Sequence, residues 1–315
     1  MNNTKIAGMS LGGGRRENFF FCLLEYFPER KRWFLTGLNQ YREHSLSDHN
    51  QVALNWINDY RLEELVVDFP LTGVPCDLCE LECPGIEKCI DPGVMRVRER
   101  MGEHLNSDYD YEKEHPKRYE RERTKDLEYD HNHDILKKEN TVPLLSRSFK
   151  RRLKKGFIPY WNRPVDLWVW ENYYDQLLSL FEGSYDSFGN VSIMLMKRFE
   201  YLKRHFPSQL ELHQSVVQIC LIELLRAKII NKKDISELNN HEFSVLARYR
   251  VLKSIEEKLN VFIYEQDLNL ITANPKAFDS FLLALAGQRK MEQSLRSLPD
   301  WSRGPDPNMV IPRFL

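Results

Sequence analysis

The chain has 315 residues, of which 42% are apolar and 12% aromatic, with 45 basic and 46 acidic side chains. This length suits one large domain or two small ones, and the balanced charge excludes a global field that would steer the protein toward nucleic acid or a membrane. The longest apolar runs, such as 19–24, are too short to span a bilayer, and no signal-peptide pattern begins the chain, so we expect a cytoplasmic location without membrane contact.

The first third of the chain reads as strands. Residues 4–11, 18–26 and 32–37 are apolar segments separated by turn-like stretches, which predicts three antiparallel strands in a meander. A helix capped by Asp48 or Asn50 follows, and then the short apolar strand LEELVVDF, which would join the sheet in parallel after the helical crossover. A fifth strand is predicted at 209–214.

Four cysteines follow the fourth strand with the spacing C-x2-C-x3-C-x5-C. Thiols stay reduced in the cytosol, so the group favours a metal site over disulfides. A structural zinc ion and an iron–sulfur cluster both suit such a loop, and a redox pair or no ligand stays open. The predicted ligands are Cys76, Cys79, Cys83 and Cys89. Cys22 and Cys220 lie in apolar runs and are predicted to be small buried side chains.

The segment 95–139 alternates in charge, with 11 Lys or Arg, 13 Asp or Glu and few aliphatic residues. It cannot bury enough surface for a core of its own, so we expect an exposed insertion that is partly helical or mobile. The predicted organisation is a single domain over 1–315, with a four-cysteine metal loop at 70–93 and an inserted charged and basic-aromatic region at 94–190.

Residues 147–155 carry six basic side chains in nine and lead into an aromatic-rich stretch. The basic residues could neutralise phosphates and the aromatic rings could stack on bases, although a solvated face over buried aromatics, in particular Trp168 and Trp170, is the plainer interpretation. The candidate nucleic-acid-binding residues are Arg147, Lys150, Arg151, Arg152, Lys154, Lys155 and Arg163.

Helical periodicity returns at 191–205, 215–230, 241–258 and 275–291, the last helix having Asn274 as its cap and Pro275 in its first turn. Three carboxylates stand out among these elements. Asp68 ends the fourth strand, Glu211 lies within the fifth, and Asp279 lies in the second turn of the last helix. Taken singly, each has the ordinary explanation of a cap or a solvated charge.

The segments GMSLGGGR, VVDFPL, FIPYWNRPVD, QLELHQS, FDSFLLALAG and MVIP, in this order, resemble the predicted-nuclease family with an RNase H-like (RuvC-like) fold that is catalogued as domain-of-unknown-function family four hundred and twenty-nine. The resemblance implies an α/β fold with a mixed five-stranded sheet flanked by helices. It also implies carboxylates that converge on Mg²⁺ or Mn²⁺, and it maps Asp68, Glu211 and Asp279 onto acidic positions. Ser10 stands where related folds have a first-strand Asp.

The leading hypothesis is therefore a metal-dependent nuclease acting on DNA or RNA. Two-metal hydrolysis needs a dense group of carboxylates, and Ser10 removes one charge, so one cation is easier to hold than two. The alternatives are a noncatalytic nucleic-acid or protein-binding module with a decayed site and a redox-sensing iron–sulfur protein. Phosphoryl transfer through the GGG turn at 12–14 is a further one.

Overall fold

The computed structural model describes residues 4–10, 20–40, 49–77, 79–125, 163–181, 193–303 and 308–314. Within these ranges, six strands form one mixed sheet in the order β5-β4-β1-β2-β3-β6. The strands are β1 (Lys5–Ser10), β2 (Phe20–Phe27), β3 (Arg32–Gln40), β4 (Glu64–Val67), β5 (Glu211–Gln214) and β6 (Val261–Phe262).

The predicted meander is confirmed, because β1 pairs antiparallel with β2 and β2 with β3. The predicted parallel addition of the fourth strand is also confirmed, since β4 lies parallel to β1 and β5 continues in parallel on its other side. The predicted number of five strands was too low. The two-residue strand β6, which pairs parallel to β3, is too short to show an alternating pattern.

Helices cover both faces of the sheet. The described α-helices are α1 (His49–Tyr60), α2 (Pro92–Glu114), α3 (Pro116–Lys125), α4 (Pro164–Phe181), α5 (Ile193–Lys203), α6 (Val217–Arg226), α7 (Lys232–Leu238), α8 (Ser244–Lys258), α9 (Glu265–Ala273) and α10 (Pro275–Met291). The cap predicted for the last helix is confirmed, because the Asn274 side chain accepts hydrogen bonds from the backbone N–H groups of Lys276 and Ala277.

Strand β1 is the centre of the core. Ile6 packs on one face of the sheet with the residues of α10, whereas Ala7 and Met9 pack on the other face with Ile57 of α1. A strand buried on both faces reads as a continuous apolar run rather than an alternating one, as IAGM does. The first strand is thereby fixed between two helical layers.

Helix α10 lies directly on β1. A Cβ built on Gly8 would come within 2.0 Å of the Ser280 carbonyl oxygen and 2.4 Å of the Ala284 nitrogen. At the other end of the contact, a Cβ on Gly287 would meet the Ile6 Cγ2 at 2.4 Å. Only glycine permits a helix to approach a strand this closely. The short distance between α10 and β1 determines how near the side chains of α10 come to the sheet.

The charged segment after the cysteine loop forms helix α2 and then α3. Val97 and Met101 of α2 are buried in the same apolar cluster as α10, and Arg100 pairs with Glu171 of α4 at 3.0 Å. Helix α2 therefore contributes one face to the core, while its remaining faces carry the alternating charges. Trp168 and Trp170 of α4 are also buried in the core, which confirms the prediction that these two aromatic residues are buried.

No helix in the described ranges is both long enough and apolar enough to cross a bilayer.

Candidate functional site

Ser10 and Asp68 lie side by side at one edge of the sheet. Ser10 ends β1 and Asp68 follows Val67, the last residue of β4, whose register partner is Met9. Because β1 and β4 are parallel, their carboxyl ends meet at the same edge, where crevices form in sheets of this kind. The Ser10 hydroxyl donates a hydrogen bond to Asp68 Oδ2 at 2.8 Å.

Helix α10 brings Asp279 and Lys276 to this edge. Lys276 Nζ lies 3.5 Å from Asp279 Oδ2 and donates a hydrogen bond to Ser10 Oγ at 3.3 Å. One ammonium therefore links the helix to the end of the first strand. We call Ser10, Asp68, Lys276 and Asp279 the Asp68–Asp279 centre.

Burial raises the pKa of Asp279 to about 6, because the ionised carboxylate loses hydration. The ammonium of Lys276 opposes this shift in the pKa, while the carboxylate of Asp68 adds to it. The two acids are therefore close enough to repel each other. A carboxyl group whose pKa is perturbed by desolvation and by a second acid is typical of functional sites, although structural ion-pair networks produce the same effect.

Glu211 does not join this centre. It begins β5 and lies in register with Glu64, the first residue of β4, whereas Asp68 follows the last residue of that strand. Four residues along a strand separate the two levels by about 13 Å. The sequence had grouped Glu211 with Asp68 and Asp279, but the structure places it toward the opposite edge of the sheet.

At that opposite edge, Glu211 meets Glu64 and His213. One ligand atom from each of the three lies within 4.8 Å of the others, so the group could hold a metal ion. Lys290 Nζ bonds Glu64 Oε1 at 2.9 Å and Glu211 Oε2 at 2.8 Å. Burial, and then the charge of Lys290, lower the pKa of His213 to about 4, so its imidazole is neutral at physiological pH. We call Glu64, Glu211 and His213 the Glu64 cluster.

The four loop cysteines lie between β4 and α2. Burial raises the pKa of Cys76, and the thiols of Cys89, Cys79 and Cys83 raise it further in that order, so these three lie within electrostatic range of Cys76. None of the four is in a disulfide, and the Glu64 cluster is the one group of three or more ligand atoms within 4.8 Å in the described residues. The thiols therefore lie near one loop position but are farther apart than the ligands of a tetrahedral metal site. The metal predicted for this loop stays a prediction.

Helix α2 holds the loop against the domain. Asp91 caps the helix by accepting from the N–H groups of Gly93 and Val94, and Arg98 donates to the carbonyl oxygen of Ile86 within the loop at 3.1 Å. The loop thus has a fixed base, and its exposed part carries Cys79 and Cys83. The other two cysteines, Cys22 and Cys220, are buried as predicted.

We expect the cysteine loop of the purified protein to hold one zinc ion, because four thiolates in one loop repel one another unless a cation is bound. Elemental analysis of the protein and its visible absorption spectrum would measure this, with an iron–sulfur cluster giving iron and a brown colour instead. Cys79→Ser should contain about one metal ion per chain fewer than the wild type, and Glu82→Gln in the same exposed loop should contain as much metal as the wild type. Full metal content in Cys79→Ser would show that the loop does not bind it.

The predicted nucleic-acid-binding residues Arg147, Lys150, Arg151, Arg152, Lys154 and Lys155 lie outside the described residues, as does the GGG turn. Arg163 is described and is buried. Its guanidinium donates to both carboxylate oxygens of Asp166, at 2.8 and 3.0 Å, and to Gln214 Oε1 at 2.9 Å. Arg163 therefore joins the start of α4 to β5 and does not present its guanidinium to solvent.

Comparison with known proteins found no match for the chain, whether among protein-family models, curated proteins or solved structures. The resemblance to the nuclease family therefore stays a prediction.

The sequence interpretation missed two parts of these sites. Lys276 precedes Asp279 by three residues, and this i, i+3 spacing on a helix was a visible signal for an ion pair beside the carboxylate. Glu64 and His213 gave no comparable signal, because their meeting depends on the register between β4 and β5.

Proposed function

We propose that the Asp68–Asp279 centre is the active site of a divalent-cation-assisted phosphodiesterase, with DNA or RNA as the substrate class. The observation that supports this most is the convergence of two acids from separate elements, the end of β4 and the second turn of α10, beside Ser10. A cap or a solvated charge does not require such a meeting.

The donor set of the centre suits one hard cation. Two carboxylates and a hydroxyl offer oxygen atoms only, which is the preference of Mg²⁺, and water would complete its octahedron. Asp68 and Asp279 would hold the ion. When bound, Mg²⁺ or Mn²⁺ would polarise the phosphoryl oxygen and lower the pKa of a bound water. With Ser10 uncharged, the set lacks the third carboxylate that a second cation would need.

The neighbouring side chains have separate roles in this proposal. Ser10 holds one oxygen of Asp68 by its hydrogen bond and so fixes the carboxylate orientation. Lys276 supplies a positive charge next to Asp279 and Ser10, where it would attract the phosphoryl oxygens and offset the charge that develops on them. A single cation together with Lys276 would thus replace the second cation of a two-metal site.

A noncatalytic nucleic-acid-binding module with a decayed site is the second candidate. The observation that favours it is the ion pair between Lys276 and Asp279, because the lysine ammonium already neutralises this carboxylate without any bound ion. In that case the uncharged Ser10 and the cationic Lys276 would together have replaced the metal, and the basic segment 147–155 would carry the binding.

The test is cleavage of labelled single- and double-stranded DNA and RNA with Mg²⁺ or Mn²⁺. We expect cleavage by the wild type, with a loss of about a hundredfold or more in both Asp68→Asn and Asp279→Asn, since each removes a charged ligand. Asp59→Asn, an exposed acid of α1, should cleave at the wild-type rate.

Cleavage that survives Asp68→Asn or Asp279→Asn would reject these residues as the active centre. Salt-sensitive binding of the same oligonucleotides without any cleavage by the wild type would instead identify the decayed module. Loss of that binding in the double variant Arg151→Glu and Arg152→Glu would then assign it to the basic segment.

A further inference from the structure

We infer that the Glu64 cluster is a binding site for a first-row divalent transition-metal cation of the Zn²⁺ type, held by one imidazole nitrogen and two carboxylates. The site is separate from the Asp68–Asp279 centre and from the cysteine loop. It lies where β4 and β5 begin, at the edge of the sheet away from the proposed active site.

Two buried polar atoms of the cluster have no hydrogen-bond partner. Glu64 is 6% exposed and His213 is 7% exposed, yet Glu64 Oε2 and His213 Nε2 make no hydrogen bond. Leaving a buried polar atom unpaired costs about 1–3 kcal/mol, and such atoms are rare in folded proteins. Two of them in one group point to a ligand that satisfies both.

The unpaired atoms face one another. His213 Nε2 lies 3.8 Å from Glu64 Oε2 and 3.5 Å from Glu211 Oε2. Ligands of a tetrahedral zinc ion at about 2.0–2.1 Å from the metal are about 3.3 Å apart. His213 Nε2 is therefore farther from both carboxylate oxygens than in an ordinary hydrogen bond, and its distances from them are close to the spacing of ligands that share a cation.

The charge of the cluster also calls for a cation. Glu64 and Glu211 carry two negative charges when ionised, and Lys290 supplies one positive charge to them. Lys290 bonds Glu64 through Oε1, which leaves Oε2 directed toward His213. Lys290 also bonds Glu211 through Oε2, the oxygen nearest His213, which keeps a second lone pair for an ion. The ammonium therefore orients both carboxylates, as hydrogen bonds to metal ligands commonly do.

The donor types select the class of cation. An imidazole nitrogen favours Zn²⁺, Co²⁺ and related ions, whereas Mg²⁺ and Ca²⁺ prefer oxygen ligands only. Three protein ligands leave a fourth position for water. The Glu211 side chain is 64% exposed and provides the route by which an ion enters.

The bound ion would hold the edge strand in place. Glu64 and Glu211 are direct register partners, and His213 is two residues further along β5 on the same face. An ion between them would join β4 to β5, a strand of four residues, by bonds much stronger than a backbone hydrogen bond.

Titration of the full-length protein with Co²⁺, followed by absorption spectroscopy and calorimetry, tests this site. Thiolate ligands give Co²⁺ intense charge-transfer bands that imidazole and carboxylate ligands lack, so the cysteine loop and the Glu64 cluster can be counted separately. We expect His213→Gln to bind one Co²⁺ fewer than the wild type with the thiolate bands unchanged. Glu211→Gln should weaken the same binding step by about tenfold or more.

His241→Gln, which replaces an exposed histidine away from the cluster, is the matched control and should bind as many ions as the wild type. Equal Co²⁺ numbers and affinities in the wild type and His213→Gln would overturn the inference. So would a loss in His213→Gln that is confined to the thiolate bands. If His213→Gln does not fold, Glu211→Gln decides alone, because its side chain is exposed, and an unchanged affinity there would overturn the site. Neither result depends on nuclease activity.

Discussion

Replacing Gly8 by Ala should destabilise the protein by about 3 kcal/mol or more, because the added methyl group would overlap backbone atoms that cannot rotate away. The Cβ would lie 2.0 Å from the Ser280 carbonyl oxygen and 2.4 Å from the Ala284 nitrogen, so α10 would have to move off β1. Urea denaturation followed by circular dichroism would measure the change in the free energy of unfolding. The same displacement would move Asp279 and Lys276 away from Ser10.

Gly102→Ala is the matched control for this substitution. Gly102 lies within α2, and a Cβ there would meet nothing within 4 Å. Alanine is the better helix former, so we expect this variant to gain about 0.5–1 kcal/mol. If Gly8→Ala were as stable as Gly102→Ala, helix α10 would not be seated on the first strand in the way described.

Asp279→Asn should stabilise the folded protein at pH 7.5 by on the order of 1–2 kcal/mol. Burial raises the pKa of this carboxyl from 3.8 to about 6 in the folded state. Below pH 3.8 the carboxyl is protonated in both the folded and the unfolded state. As the pH rises from 3.8 to about 6, the unfolded state ionises before the folded state does, so the stability of the folded state falls, and above about pH 6 the loss is complete. The full difference in pKa corresponds to about 3 kcal/mol. We expect a smaller gain in stability because the Asp279 side chain is 26% exposed and solvent screens its charge.

The measurement is urea denaturation of the variant and the wild type at pH 7.5 and at pH 4, with EDTA present so that no bound cation contributes. The stability gain should be present at pH 7.5 and largely absent at pH 4, while Asp59→Asn should match the wild type at both values. A variant that loses both stability and cleavage at pH 7.5 would show that Asp279 serves the fold. A variant that gains stability and loses cleavage would show a carboxylate kept at a cost for function.

The sequence predicted the parts of the fold that depend on local patterns. The apolar runs of β1 to β4 and the cap of α10 at Asn274 carry their own signals, and the structure confirms them. The order of these elements also placed Asp68 correctly at a strand end. The proximity of Ser10 to Asp68 could then be predicted, because parallel strands bring their carboxyl ends to the same edge of the sheet.

The sequence could not predict what depends on long-range register. Glu211 was interpreted as lying in the middle of a strand that starts at residue 209, but β5 begins at Glu211 itself and pairs it with Glu64. The level of Glu211 in the sheet is decided by the register of β5 against β4, and no local pattern in QLELHQ fixes that register. The interpretation of Arg163 as a nucleic-acid-binding residue did not anticipate its burial, because its partner Gln214 is 51 residues away in the chain.

Helix α10 runs against β1 with a lysine near each end, Lys276 at Ser10 and Lys290 at Glu64. Fourteen residues of helix separate them by about 21 Å, and the glycine contacts fix the position of the helix along the strand. Across such a distance two unit charges in water interact by only about 0.2 kcal/mol, and physiological salt screens even that. The charges at the two ends of the helix therefore act almost independently, so a change of charge at one carboxylate group should leave the pKa values at the other nearly unchanged.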